Sequence, residues 1–263
     1  MTIDLKSPFG ALLLALTIIA FCYLLLPILV IVVAPLGSTG YLSFPPQSLT
    51  LKWYQAALND TRYVGSFLTS LKVATITAIV STVIGILAAH GLTRYDFRGR
   101  KFIEALFLSP LILPTLVLAV GLSIFFSRTG LLTGTARLAA SHVIVCTPYV
   151  IRVSLPVFQR FDRTLEEAAQ NLGATPLQSF LMVLLPVVRP AIVAGAVMAF
   201  ITSFDEVVLA LFLAEPSAPT LPVTIYSAVQ LGFDPSVAAV SGLLVLLTMA
   251  LMVIYHIFGA VRD

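Results

Sequence analysis

Charged residues are scarce in this sequence. Only 10% of its 263 residues are Asp, Glu, Lys or Arg, while 59% are hydrophobic. Soluble domains contain about 25% charged and roughly 45–50% apolar residues. One core of this size cannot hide so much apolar surface from water, so the composition excludes an ordinary soluble domain and indicates lipid as the solvent. The net charge of +3 comes from few ionisable groups and gives no indication of nucleic-acid binding.

Cysteine and histidine are also rare. Cys22 and Cys146 lie in apolar runs, and we interpret them as small buried side chains rather than a disulfide or metal pair. His90, His142 and His256 are far apart in the sequence, so no metal-ligand cluster is predicted. The chain has no His-Glu-x-x-His or Gly-x-Ser-x-Gly motif, which weighs against an intramembrane enzyme. It also has no Gly-x-x-x-x-Gly-Lys-Ser/Thr phosphate loop.

Apolar windows of about twenty residues, the length that crosses a bilayer as a helix, recur along the chain. They predict an all-α, polytopic membrane protein with six transmembrane helices in one domain over residues 1–263. The predicted spans are residues 10–36, 67–92, 102–126, 136–157, 184–213 and 236–258. Several spans contain prolines, and membranes tolerate helix breaks where protein or a water-filled cavity satisfies the freed backbone groups. A helical bundle that lines a path is therefore favoured.

The distribution of lysine and arginine predicts the orientation. With the amino terminus inside, ten of the fifteen basic residues, among them Lys6 and Arg262, lie at the inner side and five lie outside. This asymmetry favours both termini in the cytoplasm. The first outer segment, 38–64, is expected to contain a short surface helix over Leu51–Leu58 with Thr50 as its N-cap.

The inner segment 158–183 contains two helix starts in series. Thr164 followed by Glu167 fits a capping box, and so does Thr175 followed by Gln178. In such a box the hydroxyl and the carboxylate or amide satisfy backbone groups that the helix start leaves open. Two short helices are therefore predicted here, Thr164–Leu172 and Thr175–Met182.

The residues between and within these helices support a compact turn. Pro176 stands at the favoured first helical position, and Gly173 supplies a left-handed end for the first helix. Ala168 and Ala169 give that helix a small-residue surface against which a partner could pack. The segment is predicted to be a helix-turn-helix that projects into the cytoplasm.

The spacing of this segment resembles the EAA loop of ABC importer permeases. The matching residues are Glu167, Ala168, Ala169, Gly173, Leu185 and Pro186, with Val183 where the pattern has isoleucine. The resemblance implies a six-helix, type I ABC importer permease of the bacterial inner membrane, whose coupling helices dock on a separate ATPase. A purely structural interpretation also stays open, in which Glu167 caps its own helix, and both can hold together.

The fifth predicted span contains the stretch Ser203, Phe204, Asp205 and Glu206, in which two carboxylates stand side by side. Carboxylates within an apolar helix are costly and by default indicate a pathway or binding role. Neighbours on a helix are about 100° apart, so the two acids cannot share one face. An anionic cavity wall favours a cationic solute, which makes a small amine the leading hypothesis. The alternative is an inter-helix hydrogen bond or a gate pair without solute contact.

Residues 203–238 resemble permeases of the spermidine/putrescine group. The shared features are the acidic pair, Leu221-Pro222 followed by Ile225-Tyr226-Ser227, and Asp234-Pro235. Asp234 and Pro235 also fit a local role as N-cap and first-turn residue of the sixth span. The resemblance implies a second homologous permease, two ATP-binding subunits that hold ATP and Mg, an extracytoplasmic solute-binding protein and no cofactor in this chain. Ferric iron, phosphonate, opine and thiosulfate are alternative solutes. A secondary transporter using the acidic pair as a proton or cation site is a further alternative, which the EAA spacing disfavours.

Overall fold

The computed structural model describes residues 8–232 and 234–259, and within those ranges it is helical and contains no strand. The helices are α1 (Pro8–Val33), α2 (Lys52–Asn59), α3 (Thr61–Arg94), α4 (Arg100–Leu108), α5 (Thr115–Thr129), α6 (Gly134–Arg160), α7 (Thr164–Asn171), α8 (Pro176–Ser179), α9 (Leu185–Phe204), α10 (Val208–Leu213), α11 (Leu221–Leu231) and α12 (Pro235–Gly259). Lys6 and Arg262, which contribute to the predicted orientation, lie outside the described residues.

Within the described ranges, four helical segments are long and apolar enough to cross a membrane. They are Phe9–Leu36, Thr61–Arg94, Gly134–Arg160 and Pro176–Phe204. The bent pair formed by α4 and α5 is a fifth candidate. The first, second and fourth predicted spans fall inside three of the four long segments, and α12 covers the sixth. The number of six spans stays a prediction.

The third predicted span, residues 102–126, is not one straight helix. α4 and α5 are separated by a 3₁₀ turn over Ser109–Leu111 and meet at an angle of 99°. Pro110 lies in that turn and Pro114 immediately precedes α5. Because proline lacks a backbone N–H and its ring clashes with the preceding helical turn, the pair prevents a continuous helix here.

The fifth predicted span, residues 184–213, has different ends in the structure. A continuous helical segment runs from Pro176 to Phe204 through a π-helical turn over Phe180–Leu184. The helix stops at Phe204 and the chain resumes as α10. The helical segment thus begins before residue 184 and ends before residue 213. The hydropathy pattern does not reveal the break after Phe204, because apolar residues continue on both sides of it.

The π turn explains why the second helix of the inner segment has no end of its own. Pro186 is the second residue of α9, and in a regular α-helix its ring would meet the carbonyl of Met182. The Leu185 amide instead donates to the Phe180 carbonyl, five residues back, which is the wider π geometry. The predicted separate helix Thr175–Met182 is thus wrong in its end, since it runs on into the span.

The described chain divides into two compact units, residues 65–224 and the remainder. In the unit formed by the two ends of the chain, α1 and α2 pack against α12, and the Tyr54 hydroxyl donates to the Val32 carbonyl at 2.6 Å.

The start of α2 differs from its prediction. The N-cap position of α2 is Leu51 rather than the predicted Thr50. Thr50 Oγ1 accepts a hydrogen bond from the Lys52 amide at 3.3 Å, because it stands one residue too early to reach further into the helix.

In the unit of residues 65–224, three helices approach closely around one side chain. Val150 of α6 is fully buried between Gly85 of α3 and Gly195 of α9. A Cβ placed on Gly85 would lie 2.6 Å from Val150 Cγ1, and one on Gly195 would lie 3.1 Å from it. Small residues allow such close backbone approach where lipid provides no hydrophobic drive for helix association. Val150 therefore fixes the spacing of α3, α6 and α9.

We expect Gly85→Ala to destabilise the unit by about 1–3 kcal/mol, because the new methyl group clashes with Val150 rather than with a flexible chain end. Thermal unfolding of the detergent-solubilised protein measures the effect. Gly91→Ala in the same helix is the control, since a Cβ there would meet no atom of the described chain within 4 Å beyond its sequence neighbours and the backbone of its own helix. Equal melting temperatures for the two variants would contradict the packing described here.

Candidate functional site

The first inner helix, α7, is capped differently from its prediction. Its N-cap position is Arg163, and Thr164 is its first helical residue. The Asp162 carboxylate accepts a hydrogen bond from the Thr164 amide at 3.0 Å. That backbone hydrogen bond holds the pKa of Asp162 below its ordinary value. The predicted Thr164–Glu167 capping box is therefore wrong, because the acid two residues before takes the amide first.

The turn after α7 forms as predicted. Gly173 has a φ of +96°, a left-handed conformation that side chains other than glycine rarely adopt. The Ala174 amide donates to the Ala169 carbonyl at 3.0 Å, and the Gly173 amide donates to the Gln170 carbonyl at 2.9 Å. These two bonds define a Schellman motif, which satisfies the last carbonyls of the helix. The sharp reversal therefore depends on Gly173.

The second helix start also forms as predicted. The Gln178 amide donates to Thr175 Oγ1 at 3.3 Å, and Gln178 Oε1 accepts from the Thr175 amide at 2.8 Å. Pro176 occupies the first turn of α8. The Thr175–Gln178 capping box is confirmed.

Segment 158–183 carries several exposed apolar side chains. Leu172 is 90% exposed and Met182 is 72% exposed, and Leu165, Leu177 and Leu181 are also exposed. Of the residues that match the EAA pattern or flank it, seven are exposed and three are half-buried. The exposed ones are Thr164, Glu167, Ala168, Gly173, Thr175, Pro176 and Pro186, and the half-buried ones are Ala169, Val183 and Leu185. Adjacent exposed apolar side chains of this kind make the segment a candidate interaction surface.

The opposite side of α7 is attached to the last turn of α3. Glu166 Oε2 lies 3.1 Å from Arg94 Nη1, and the two side chains are 5% and 25% exposed. The Arg163 guanidinium donates to the Thr93 carbonyl, and Ser179 Oγ donates to the Glu166 carbonyl at 3.3 Å. Sequence reasoning missed the two contacts to α3, since about seventy residues separate the partners and no local pattern relates them.

The two predicted solute-path acids lie at a helix break and not inside a helix. α9 ends at Phe204 with Asp205 as its C-cap, and Glu206 Oε1 accepts from the Val208 and Leu209 amides at 2.9 and 3.2 Å. Placing them within a continuous apolar helix was therefore wrong, because the helix ends at Phe204 and Glu206 accepts the first amides of the next helix, α10. Asp205 is exposed and Glu206 is half-buried.

At the carboxyl end of α10, a carbonyl accepts hydrogen bonds from a side chain that the sequence did not indicate. Arg137 of α6 donates to the Leu213 carbonyl through Nη2 at 2.9 Å and Nε at 3.1 Å. Ser123 Oγ of α5 donates to the Phe212 carbonyl at 3.3 Å. The short helix after the break is thus held at both ends.

The other two predicted solute-path residues make contacts within the bundle. Ser203 is buried, and its Oγ lies 2.8 Å from His142 Nδ1. The Phe204 ring meets Phe67 edge-on at 5.9 Å and stacks on Phe200 at 5.9 Å. The structure therefore brings residues 203–206 to one break but turns them to different surroundings. No group of three or more potential metal ligands occurs in the described ranges.

Comparison with known proteins assigns the family. Residues 81–261 match the model for binding-protein-dependent transport system inner membrane components. The chain is 33% identical over 233 residues to the spermidine/putrescine transport system permease protein PotC of Escherichia coli (strain K12), covering 89% of this chain and 88% of the relative. It is 32% identical over 238 residues to the putrescine transport system permease protein PotI of the same strain, covering 86% and 83%.

A solved structure shows the same fold. The chain aligns with a bacterial ABC transporter involved in the import of the acidic polysaccharide alginate, with a TM-score of 0.75, 17% identity, and coverage of 100% of this chain and 99% of the other. The chain therefore belongs to the family of binding-protein-dependent transport system inner membrane components. It is the membrane-embedded permease component of an ABC importer.

We expect Thr175→Ala to weaken the start of α8 by about 1 kcal/mol, because it removes the hydroxyl that accepts the Gln178 amide. Hydrogen exchange should show faster exchange of that amide. Thr164→Ala is the matched control, since Asp162 continues to accept the first amide of α7. Equal acceleration at the two helix starts would contradict the assignment of the caps.

Proposed function

We propose that this permease imports a polyamine or a related small cationic amine. PotC and PotI are named as permeases of spermidine/putrescine and putrescine systems, and the chain covers most of both. The acidic pair supports the same solute class, because an exposed Asp205 beside a half-buried Glu206 gives the break a negative potential. In this proposal Ser203, Phe204, Asp205 and Glu206 border the solute path.

We further propose that the inner helix-turn-helix docks on an ATPase subunit. The observation that carries this proposal is the Gly173 turn, which presents Glu167 and Ala168 on an exposed surface beside apolar side chains. Small side chains allow close packing by a partner, and the exposed leucines supply apolar area to bury. Thr164, Thr175, Pro176, Leu185 and Pro186 shape that surface.

The complete importer would then contain several chains. We propose two ATP-binding subunits that hold ATP and Mg, a second homologous permease and an extracytoplasmic solute-binding protein, with both termini of this chain in the cytoplasm. Outer segments 38–64 and 214–235 would meet the binding protein. ATP-driven closure would displace the docked inner segment, and the helices would expose the path to one side and then the other.

We expect Gly173→Leu to leave membrane insertion intact but to separate ATP hydrolysis from uptake. A leucine at a φ of +96° is strained by about 1–2 kcal/mol, so the turn that presents the docking surface deforms. Uptake and ATP hydrolysis in proteoliposomes containing the whole importer measure this effect. Gly173→Asn is the control, because asparagine tolerates left-handed backbone and should retain more coupling. Wild-type uptake by Gly173→Leu would rule out this role for the turn.

We expect Asp205→Asn and Glu206→Gln, made separately, to weaken polyamine uptake. Loss of a charge contact of about 1.4 kcal/mol raises the KM for putrescine or spermidine about tenfold. Glu206→Gln retains an oxygen for the α10 amides, so its effect reports on charge rather than on folding. Glu104→Gln in α4 is the control for general loss of a carboxylate. Unchanged KM and maximal rate in both variants would remove these acids from the solute path, without affecting the docking proposal.

A further inference from the structure

The ion pair between Arg94 and Glu166 joins two helices that the chain itself does not join. α7 follows α6 directly, and it is connected to the helical segment ending at Phe204 by the Gly173 turn. α3 has no such connection to α7, because about seventy residues separate them. Among the described residues, an ion pair between Arg94 and Glu166 and a hydrogen bond from Arg163 to the Thr93 carbonyl hold the end of α3 to α7.

These contacts make a compact attachment. The Glu166 carboxylate, 5% exposed, lies against Arg94, and Arg163 from the start of α7 donates to the Thr93 carbonyl. That carbonyl belongs to the last turn of α3, where four carbonyls have no partner inside the helix. Exposed ion pairs contribute little, but a pair that is mostly withdrawn from water is costly to break from one side.

The geometry gives α7 two different faces. Glu167 and Ala168 point to the exposed surface that is proposed to meet the ATPase, while Glu166 points to α3. α7 thus contacts α3 through one face and leaves its other face exposed. The two roles belong to neighbouring residues, so they can be separated by mutation.

The other end of α3 reaches the carboxylate break. Phe67, near the start of α3, packs edge-on against Phe204, the last residue before Asp205. Phe67 and Arg94 are 27 residues apart on one helix, which corresponds to about 40 Å. α3 thus extends between the inner segment and the break that is proposed to border the solute path.

We propose that Arg94 and Glu166 are positioning residues that make α3 move together with α7, so that α3 carries movement of the docked segment to the carboxylate break. This inference rests on the proposed docking of the inner segment. In this proposal the ion pair, withdrawn from the exposed face of α7, contacts neither the solute nor the ATPase. It determines whether α3 follows the movement of α7 or is left behind.

The test uses the whole importer in proteoliposomes and measures polyamine transported per ATP hydrolysed, together with the amount of ATPase that co-purifies. The variants are Arg94→Gln, Glu166→Gln, the double variant and Arg94→Lys. We expect either single neutral variant to retain the ATPase but to transport about fivefold less per ATP, the lower end of ordinary coupling between sites. The double variant should match the singles, and Arg94→Lys should lie between them and the wild type.

Arg98→Gln is the matched control. Arg98 is exposed in the connection between α3 and α4 and forms no ion pair within the described ranges. Wild-type transport per ATP in both single variants would overturn the proposal. Recovery in the double variant would also overturn it, because the loss would then come from an unpaired buried charge. Loss of the ATPase from the variants alone would assign the pair to docking instead. Loss of the ATPase from the wild-type chain would overturn the proposed function itself.

Discussion

Lipid offers no hydrogen-bond partner to a backbone N–H or carbonyl, so each interruption of a helix in this chain has to be satisfied by the protein. At the break after Phe204, the Glu206 carboxylate accepts two amides of α10, and Arg137 donates twice to the carbonyl of Leu213 at its end. Ser123 adds a hydrogen bond to the preceding carbonyl. Three side chains thus satisfy backbone groups at the two ends of α10, the short helix that follows the break.

The three helices that meet at Val150 differ in how often they are interrupted. α6 contains Pro148 and Pro156, and the helical segment ending at Phe204 contains Pro190 and a π turn. α3 runs for 34 residues without a proline. Proline and π turns are usual sites of helix bending, and α3 has neither, unlike the other two helices that meet at Val150. A helix without those interruptions, attached at one end by an ion pair, is suited to carry a displacement over its length.

Sequence reasoning succeeded where the signal was local and failed where partners were distant. The Thr175–Gln178 box and the left-handed Gly173 depend on residues within one turn, so their patterns were sufficient. The Thr164 cap failed because Asp162, two residues earlier, competed for the same amide. The pairing of Arg94 with Glu166 could not be predicted, since it depends on how α3 packs against α7. Hydropathy likewise could not locate the break after Phe204, because apolar residues continue on both sides of it.

Because Asp205 and Glu206 lie at a helix break and not inside a helix, the two acids have different surroundings. Glu206 faces two amides at the start of α10, where the helix dipole and the hydrogen bonds offset part of its charge. Asp205 is exposed, and its carboxylate makes no side-chain hydrogen bond to any described residue. The two acids are therefore not equivalent. Glu206 fixes the geometry of the break, and Asp205 carries the less compensated negative charge, which in the proposed solute path is the one that a cationic solute would meet.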